Sequence, residues 1–246
     1  MLRGIGLAQS FGGRTIYHDV SFEVTPGEVF VVLGGSGCGK STLLRQCIGL
    51  LPPTTGRVEM LGCDFTAATP SVRAGVLRRI GVMFQSGALF GSMTLLENVM
   101  LPLEVHTDLP LPAQREVARL KLGLVGLADS AGLLPAEISG GMAKRAAIAR
   151  ALALDPPLLF LDEPSAGLDP ITSAGLDRLI LDLRRDLGLT FVVVTHELES
   201  ILAIADRCIM LDHAAQGVIA DGDPRRLRDE STQPTVHAFF HREAAP

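Results

Sequence analysis

Nowhere in this chain do about 18 apolar residues follow one another, so no segment is expected to cross a bilayer as a helix. Its first residues lack a basic stretch followed by an apolar one, and no secretion signal is expected there. Excess positive charge is missing too: 22 Lys and Arg stand against 27 Asp and Glu, a net charge of −5. That balance argues against a nucleic-acid binder, which carries a basic face. Two local basic clusters, Arg184-Arg185 and Arg225-Arg226 with Arg228, read as solvated helix faces or partners of helix C-termini. Cysteine is sparse, and Cys38, Cys47, Cys63 and Cys208 have no metal-ligand spacing. Three of them lie among apolar residues and read as small core side chains. Cys38 falls in a Gly-rich loop, where it is either a tolerated loop residue or a thiol acidified by a helix N-terminus. Together these absences point to the cytosol. Internal repeats and low-complexity segments are absent as well.

What the chain does have is 47% hydrophobic residues over 246 positions, enough for one domain with a sizeable core and an inserted subdomain. The first thirty residues read as short strands with turns at Gly12-Gly13 and Pro26-Gly27. Residues 29–33 form an apolar run suited to a strand buried on both faces. A Gly-rich loop follows, then a helix from Lys40 to about Leu50, stopped by Pro52-Pro53. A turn-rich stretch leads to another strand at 80–84. From Gln85 to about Asp155 strand signals vanish, and helical periodicity appears at 95–103, 113–124 and 139–154. Apolar strands resume at 158–161, 190–194 and 208–211, with a helix between the first two. This alternation predicts an α/β fold around a parallel sheet, preceded by the short N-terminal strands. The expected division is a core of residues 1–84 and 156–230, a helical subdomain of 85–155, and a polar, weakly structured tail of 231–246.

Gly34-Gly35-Ser36-Gly37-Cys38-Gly39-Lys40-Ser41 matches the phosphate-loop pattern G-x-x-x-x-G-K-[ST] between a buried strand and a helix start. Its backbone N–H groups are suited to cradle phosphates, Lys40 to reach the β and γ oxygens, and Ser41 to ligate Mg²⁺. Asp162-Glu163 ends the strand at 158–161, where two adjacent carboxylates can divide the work. Asp162 would serve the Mg²⁺ shell and Glu163 would polarise the attacking water. His196 follows the strand at 190–194, and Gln85 follows the strand at 80–84, which brings both to the same carboxyl edge. Alone, each is an ordinary strand-end residue. The two preceding motifs raise His196 to a γ-phosphate sensor and give Gln85 weight.

Ser139-Gly140-Gly141-Met142 opens a second helix of small residues, shortly before the Asp-Glu strand end. Ser139 is a good N-cap, and two glycines, poor helix formers, leave backbone N–H groups open to an anion. Met142, Ala146, Ala149 and Ala153 form one apolar stripe on that helix, with Lys144, Arg145 and Arg150 off it. One nucleotide needs one phosphate-seeking helix start, and this chain has two. The surplus implies a partner.

In this order, and over essentially the whole length, these motifs resemble the nucleotide-binding ATPase subunit of ABC transporters. The resemblance implies a P-loop NTPase fold, a RecA-like parallel core with an N-terminal antiparallel β subdomain and an inserted helical subdomain. It makes Gly34–Ser41, with Thr42 beside it, the Walker A loop, Gln85 the Q-loop residue and a further Mg²⁺ ligand, and Ser139-Gly140-Gly141 the signature. Leu158–Asp162 becomes the Walker B strand with Glu163 as catalytic base. Asp169 falls in the D-loop, His196 is the switch histidine, and Phe11 stands where the family places an adenine-stacking aromatic. The cofactors implied are ATP and Mg²⁺, bound in two sites between head-to-tail copies of the chain. Met142 replaces the family's usual glutamine. With residues 83–90 and 97–99 it is similar to the Mce/Mla branch, in which the ATPase powers phospholipid movement between the inner and outer membranes and so maintains outer-membrane lipid asymmetry. The partners this implies are integral membrane permease subunits and an Mce-domain substrate-binding protein. A small STAS-domain subunit is common in that branch, though no residue here requires it. The location implied is peripheral, on the cytoplasmic face of the bacterial inner membrane. Two alternatives stay open at this point: an importer ATPase for amino acids or lipoproteins, and a soluble ABC-type ATPase acting on ribosomes or DNA.

Overall fold

The computed structural model of the chain describes residues 1–243. Two long strands come first, β1 (Leu2–Phe11) and β2 (Arg14–Val24), paired antiparallel around Gly12-Gly13. Both turn residues have positive φ, which a tight hairpin demands and glycine adopts without strain. β3 (Val29–Gly34) is buried along its whole length. α1 (Lys40–Cys47) stops short of the expected Leu50, because Gly49 turns left-handed ahead of Pro52-Pro53. The stretch read as turns holds three further elements, β4 (Thr55–Met60), β5 (Cys63–Asp64) and α2 (Pro70–Leu77). After β6 (Ile80–Met83) come α3 (Leu95–His106), α4 (Leu111–Leu124) and α5 (Gly140–Ala151), with no strand among them. A reciprocal Thr94–Glu97 capping box starts α3, and the Thr94 bonds hold the Glu97 carboxyl below the usual range. β7 (Leu158–Asp162), α6 (Pro170–Leu187), β8 (Thr190–Val194), α7 (Leu198–Ile204), β9 (Arg207–Asp212), β10 (Gly217–Gly222), α8 (Pro224–Glu230) and α9 (Pro234–His241) complete the described chain.

The strands make two sheets. One is antiparallel with order β2-β1-β4-β5, and the other has order β10-β9-β3-β8-β7-β6. In the second, β6, β7, β8, β3 and β9 are mutually parallel, and β10 is added antiparallel at the edge. Register aligns the strand ends: Val32 and Asp162 both pair with Val194, and Gly34 pairs with Leu211. The segments leaving β3, β7 and β8 therefore emerge on one carboxyl edge, where ligands bind in open α/β sheets.

Alternate residues of β3 serve two separate cores. Val29, Val31 and Leu33 pack with α3, α5, α6 and α7, while Phe30 and Val32 pack with α1 and the antiparallel sheet. A sheet covered on both faces requires the unbroken apolar runs seen at 29–33 and 190–194. The expectation of a weakly structured tail is overturned. Pro234 opens α9, Gln233 caps it, and Val236 and Phe240 are buried in the same core as α7, with Phe239 packed beside them. The last residues of the tail, 244–246, lie outside the described residues.

Candidate functional site: a phosphate loop facing an acidic strand end

The loop between β3 and α1 is shaped by glycines for different reasons. Gly34 has φ 143, and a Cβ there would come closer than 3.0 Å to the Leu211 carbonyl oxygen and to Cys38 Sγ. Gly39 has φ 104 and rests on the Ile16 and Tyr17 side chains of β2. Gly35, Ser36 and Gly37 are exposed, and no heavy atom stands within 4 Å of a Cβ placed on Gly35 or Gly37. Lys40 Nζ donates to the carbonyls of Gly34 at 2.8 Å and Gly35 at 3.0 Å, so its charge is held over the loop. A cavity of about 190 Å³ here is lined by Ile16, Gly37, Gly39, Lys40, Ser41 and Thr42. Cys38 is buried, and that burial raises its thiol above the usual range despite nearby Lys40. Cys38 is thus a packed side chain beneath Gly34, its thiol raised by burial and not acidified. Cys47 and Cys208 are buried as expected, their thiols pushed up to about 12 by burial, whereas Cys63 is half-buried.

Opposite the loop, Asp162 ends β7 and Glu163 begins a turn. Glu163 has φ 46, an uncommon conformation for a side-chain-bearing residue, and its N–H donates to the Val194 carbonyl at 2.8 Å. The turn aims the carboxylate across β8, where Glu163 Oε1 meets His196 Nδ1 at 2.9 Å. Glu163 is buried while the His196 side chain is 62% exposed. Among the described residues, Glu163 Oε2 and Asp162 Oδ1 are buried without a hydrogen-bond partner, which native proteins tolerate at few places other than functional ones. Burial, then Glu163, pushes the Asp162 carboxyl above its usual range, and Arg45, Lys40 and Lys144 partly offset this. No group of three His, Cys, Asp or Glu side chains among the described residues could hold a metal alone. Mg²⁺ instead suits one or two carboxylates completed by phosphate oxygens and water. The unpartnered Asp162 oxygen and the exposed Ser41 hydroxyl fit that donor set.

Gln85 is exposed just past β6, and its carbonyl accepts a hydrogen bond from Lys144 Nζ. That ammonium also donates to the Glu163 carbonyl at 3.3 Å, so Gln85, Glu163 and His196 are gathered at one place. Lys144 was placed off the apolar stripe in the sequence, and the structure buries it. Burial lowers its pKa, and the carboxylates of Glu163, Glu197 and Asp162 oppose that shift. Its role was missed, because nothing in a residue's letter tells which backbone carbonyls its helix will face. Phe11 lies half exposed at the end of β1, on the hairpin whose Ile16 lines the loop cavity.

The second glycine start stands apart from that loop. Ser139 caps α5 by accepting from Met142 N–H at 3.3 Å, and Met142 packs against the core. Gly140 is exposed, and only Leu168 comes within 4 Å of a Cβ placed there. Gly141 is buried, and its Cβ would come closer than 3.0 Å to Thr172 Cγ2 at the start of α6. The two glycines, read together as an anion seat, thus differ: Gly141 is required by helix packing, and only Gly140 is left bare. Asp169 caps α6 by accepting from Ile171 N–H, Thr172 N–H and the Thr172 hydroxyl, and the Thr172 bonds keep its carboxyl below the usual range.

A buried strand feeding a glycine loop and a helix start, with an acidic strand end on the same edge, defines a nucleoside-triphosphate-binding α/β protein. The comparisons narrow this class. A family model described as ABC transporter matches residues 17–166, and the chain belongs to that family. It is 42% identical over 229 residues to the intermembrane phospholipid transport system ATP-binding protein MlaF of Escherichia coli K12, covering 93% of this chain and 84% of that one. It is 40% identical over 236 residues to the probable ribonucleotide transport ATP-binding protein mkl of Mycobacterium leprae, covering 96% and 67%. Among solved structures, a dimeric post-hydrolysis state of the ATP-binding cassette MJ0796 with ADP and Pi superposes with a TM-score of 0.81 at 30% identity, covering 91% of this chain and 98% of that one. The cbiO1 subunit of the Clostridium perfringens cbiONQ transporter gives 0.85 at 28%, covering 93% and 90%. The chain is an ABC-type ATPase. No helix of the described residues is long and apolar enough to cross a membrane.

Proposed function

We propose that this chain is the ATP-hydrolysing subunit of a bacterial transporter that moves phospholipid between the inner and outer membranes and so maintains outer-membrane lipid asymmetry. The observation that carries the mechanism is an unequal Glu163 carboxylate: one oxygen is fixed by His196, the other is buried and unpartnered. An oxygen held in that state is ready to accept a proton from water as it attacks the γ-phosphorus of ATP. His196 orients the carboxylate and, through its exposed ring, faces the γ-phosphate. The loop of Gly34, Gly35, Ser36, Gly37, Cys38, Gly39, Lys40, Ser41 and Thr42 binds the triphosphate, and Phe11 stacks on the base. On phosphate binding, Lys40 exchanges its two loop carbonyls for phosphate oxygens. Ser41, Asp162 and Gln85 would hold Mg²⁺, which neutralises charge on the phosphates.

Ser139 and the bare Gly140 supply the remaining donors in trans, to ATP on a second copy of the chain arranged head to tail. Gly141 and Asp169 set that helix start against α6. Dimeric MJ0796 supports such pairing. Phospholipid as cargo is supported by the kinship with MlaF and by Met142 in the signature. Drawing two acyl chains through water would cost on the order of 25 kcal/mol at ~0.8 per CH₂, so membrane permease subunits must supply an apolar route. A groove of about 240 Å³ between Leu77, Ile80, Val82, Pro102, His106 and Arg150, together with the exposed Phe84 and Phe90 of the segment after β6, is suited to a cytoplasmic helix of the permease. The chain then sits peripherally on the cytoplasmic face of the inner membrane. Its further partners are an Mce-domain protein and a small STAS-domain subunit.

The test is reconstitution with the co-purified permease in vesicles. ATP-dependent transfer of labelled phospholipid is expected. Glu163→Gln should keep ATP binding, trap the dimer and lower turnover by roughly 10²–10⁴. Near-parental turnover in Glu163→Gln refutes the base assignment. Co-purification of a nucleotide or amino-acid receptor in place of an Mce-domain protein refutes the cargo.

A further inference from the structure

Two long cationic side chains of α5 turn inward, toward the backbone that follows β6. The Arg150 guanidinium donates to the carbonyls of Gly87 at 2.9 Å and Ala88 at 2.7 Å. Lys144 donates to the carbonyls of Gln85 and Glu163. Gly87 has φ 73, a conformation that a side chain would strain, and it lies in contact with α5: a Cβ there would meet Ala147 Cβ at 3.5 Å and the Ala143 carbonyl oxygen at 3.6 Å. Close approach is what lets the cations reach main-chain oxygens. The two cations differ in consequence. Arg150 fastens one short segment to α5. Lys144 joins two segments that leave different strands, one carrying Gln85 and the other Glu163.

A lysine buried in this way, with no carboxylate of the described residues in salt-bridge distance, is costly unless its N–H groups find acceptors and charge lies near. Here two carbonyl dipoles satisfy it, and Glu163, Glu197 and Asp162 are close enough to stabilise it. A methionine or leucine would fill the same volume without that cost. Retaining a cation at this point has a use in fixing geometry.

We propose that Lys144 is a positioning residue that sets Gln85 against Glu163 within one chain and ties that setting to the helix start at Ser139–Gly141. The inference rests on the roles given above to Gln85 and Glu163. Because Ser139 and Gly140 serve the partner's ATP while Gln85 and Glu163 serve the chain's own, a shift of α5 on closing one site realigns the other. Lys144 is thus the link through which two ATP sites of a dimer act together.

The experiment measures MgATP turnover by the full chain with its permease, and equilibrium ATP affinity, for Lys144→Met, Lys144→Gln, Lys144→Arg and Glu163→Gln. Loss of both carbonyl contacts in Lys144→Met should lower kcat by roughly 10–10²-fold, with KM and ATP affinity changed by less than about 3-fold. The Hill coefficient for ATP should fall toward one. Lys144→Arg, with a guanidinium able to reach both carbonyls, should recover most of the turnover. Lys144→Gln, which keeps a donor but reaches fewer oxygens, should fall between and serves where the methionine variant is poorly folded.

Parental kcat and cooperativity in folded Lys144→Met or Lys144→Gln overturn the proposal. So does a loss of ATP affinity in proportion to kcat, or an arginine variant no better than methionine at equal thermal stability. If Glu163→Gln is inactive while Lys144→Met is normal, the positioning role falls and the base assignment stands. If Glu163→Gln turns over normally, the base assignment falls instead.

Discussion

Adding one methyl group at Gly141 separates the two functions that a paired-glycine helix start can have. The Cβ of Gly141→Ala would come closer than 3.0 Å to Thr172 Cγ2. Carbon pairs rest at about 3.5–4.0 Å, so α5 and α6 must part by at least about 0.5 Å. Thr172 cannot rotate away freely, because its hydroxyl is held by Asp169 Oδ2 at 2.5 Å. Overpacking of this kind costs about 1–3 kcal/mol. Alanine returns at most about 1 kcal/mol through better helix propensity. The net loss of about 0–2 kcal/mol corresponds to a fall of roughly 0–8 °C in thermal midpoint for a chain of this size. Turnover should suffer more, by roughly 10–10²-fold, because the start of α5 is displaced from its proposed target. Thr172→Ser keeps the hydroxyl and removes the clashing methyl, so the double variant should regain both stability and turnover. Gly140→Ala is the control: Leu168 at 3.7 Å leaves room for the methyl, and the folded chain should be no less stable. If Gly140 faces a partner's ATP, that stable variant is nevertheless inactive. Differential scanning fluorimetry and steady-state ATPase assays read all four proteins. Failure of Thr172→Ser to rescue Gly141→Ala refutes the packing argument, and full activity in Gly140→Ala refutes the composite site.

Asp177 is buried and has its carboxyl pushed above the usual range by that burial, which outweighs the opposing hydrogen bond from Ser200 at 2.9 Å and is aided by Glu197. A raised folded value means the contribution to stability is present below the unfolded value of about 3.9 and is lost as pH rises through the folded one. Asp177→Asn should therefore raise the thermal midpoint at pH 7.5, and the difference should shrink as the pH falls and vanish below about pH 4. A pH-independent difference sinks the argument. Asn98 is fully buried, accepts from Phe90 N–H at 2.8 Å and donates to the carbonyls of Phe90, Met93 and Thr94. Asn98→Ala strands the Phe90 N–H and the Met93 carbonyl, while the Phe90 and Thr94 carbonyls keep backbone donors, and should cost about 2–3 kcal/mol in urea unfolding, whereas a loss below about 0.5 kcal/mol would mean the loop refits without it.

Elements announced by local chemistry were legible in the sequence. The parallel strands carry unbroken apolar runs because both faces are covered, and the hairpin carries Gly12-Gly13 because its turn needs positive φ. The phosphate loop is likewise written in consecutive residues, so Lys40 and Ser41 needed no tertiary information. Asp162, Glu163 and His196 were found through strand ends, which a shared edge brings together. What stayed hidden depends on partners distant in sequence. β4, β5 and α2 lie in a stretch with weak periodicity, and the antiparallel sheet is completed only by pairing β4 with β1. α9 looked like a polar tail because its eight residues are too few to show a helical period and lie among polar ones, yet Val236 and Phe240 find a core assembled from α7 and neighbouring elements. A burial of that kind is decided by the surface waiting for the helix, which its own sequence does not encode.

The small side chains of α5 make the same point about a helix read in isolation. Met142, Ala146, Ala149 and Ala153 do form an inward stripe, which suffices for an ordinary packed helix. A second small face is needed for a different reason. Gly81 stands so close to the Ala151 carbonyl that a Cβ would come within 3.0 Å, and Gly87 rests on Ala143 and Ala147. Larger residues on that face would hold β6 and its following loop farther off. The carbonyls of Gln85, Gly87 and Ala88 would then lie beyond the reach of Lys144 and Arg150. The alanines are thus the complement of the cations. A helix that only had to bury one stripe could be bulky elsewhere. One that must grip a neighbouring backbone with buried charge has to be thin where that backbone passes. This is why Ala143, Ala147 and Ala151, four residues apart on the face that the backbone passes, are small although the helix lies at the centre of the molecule.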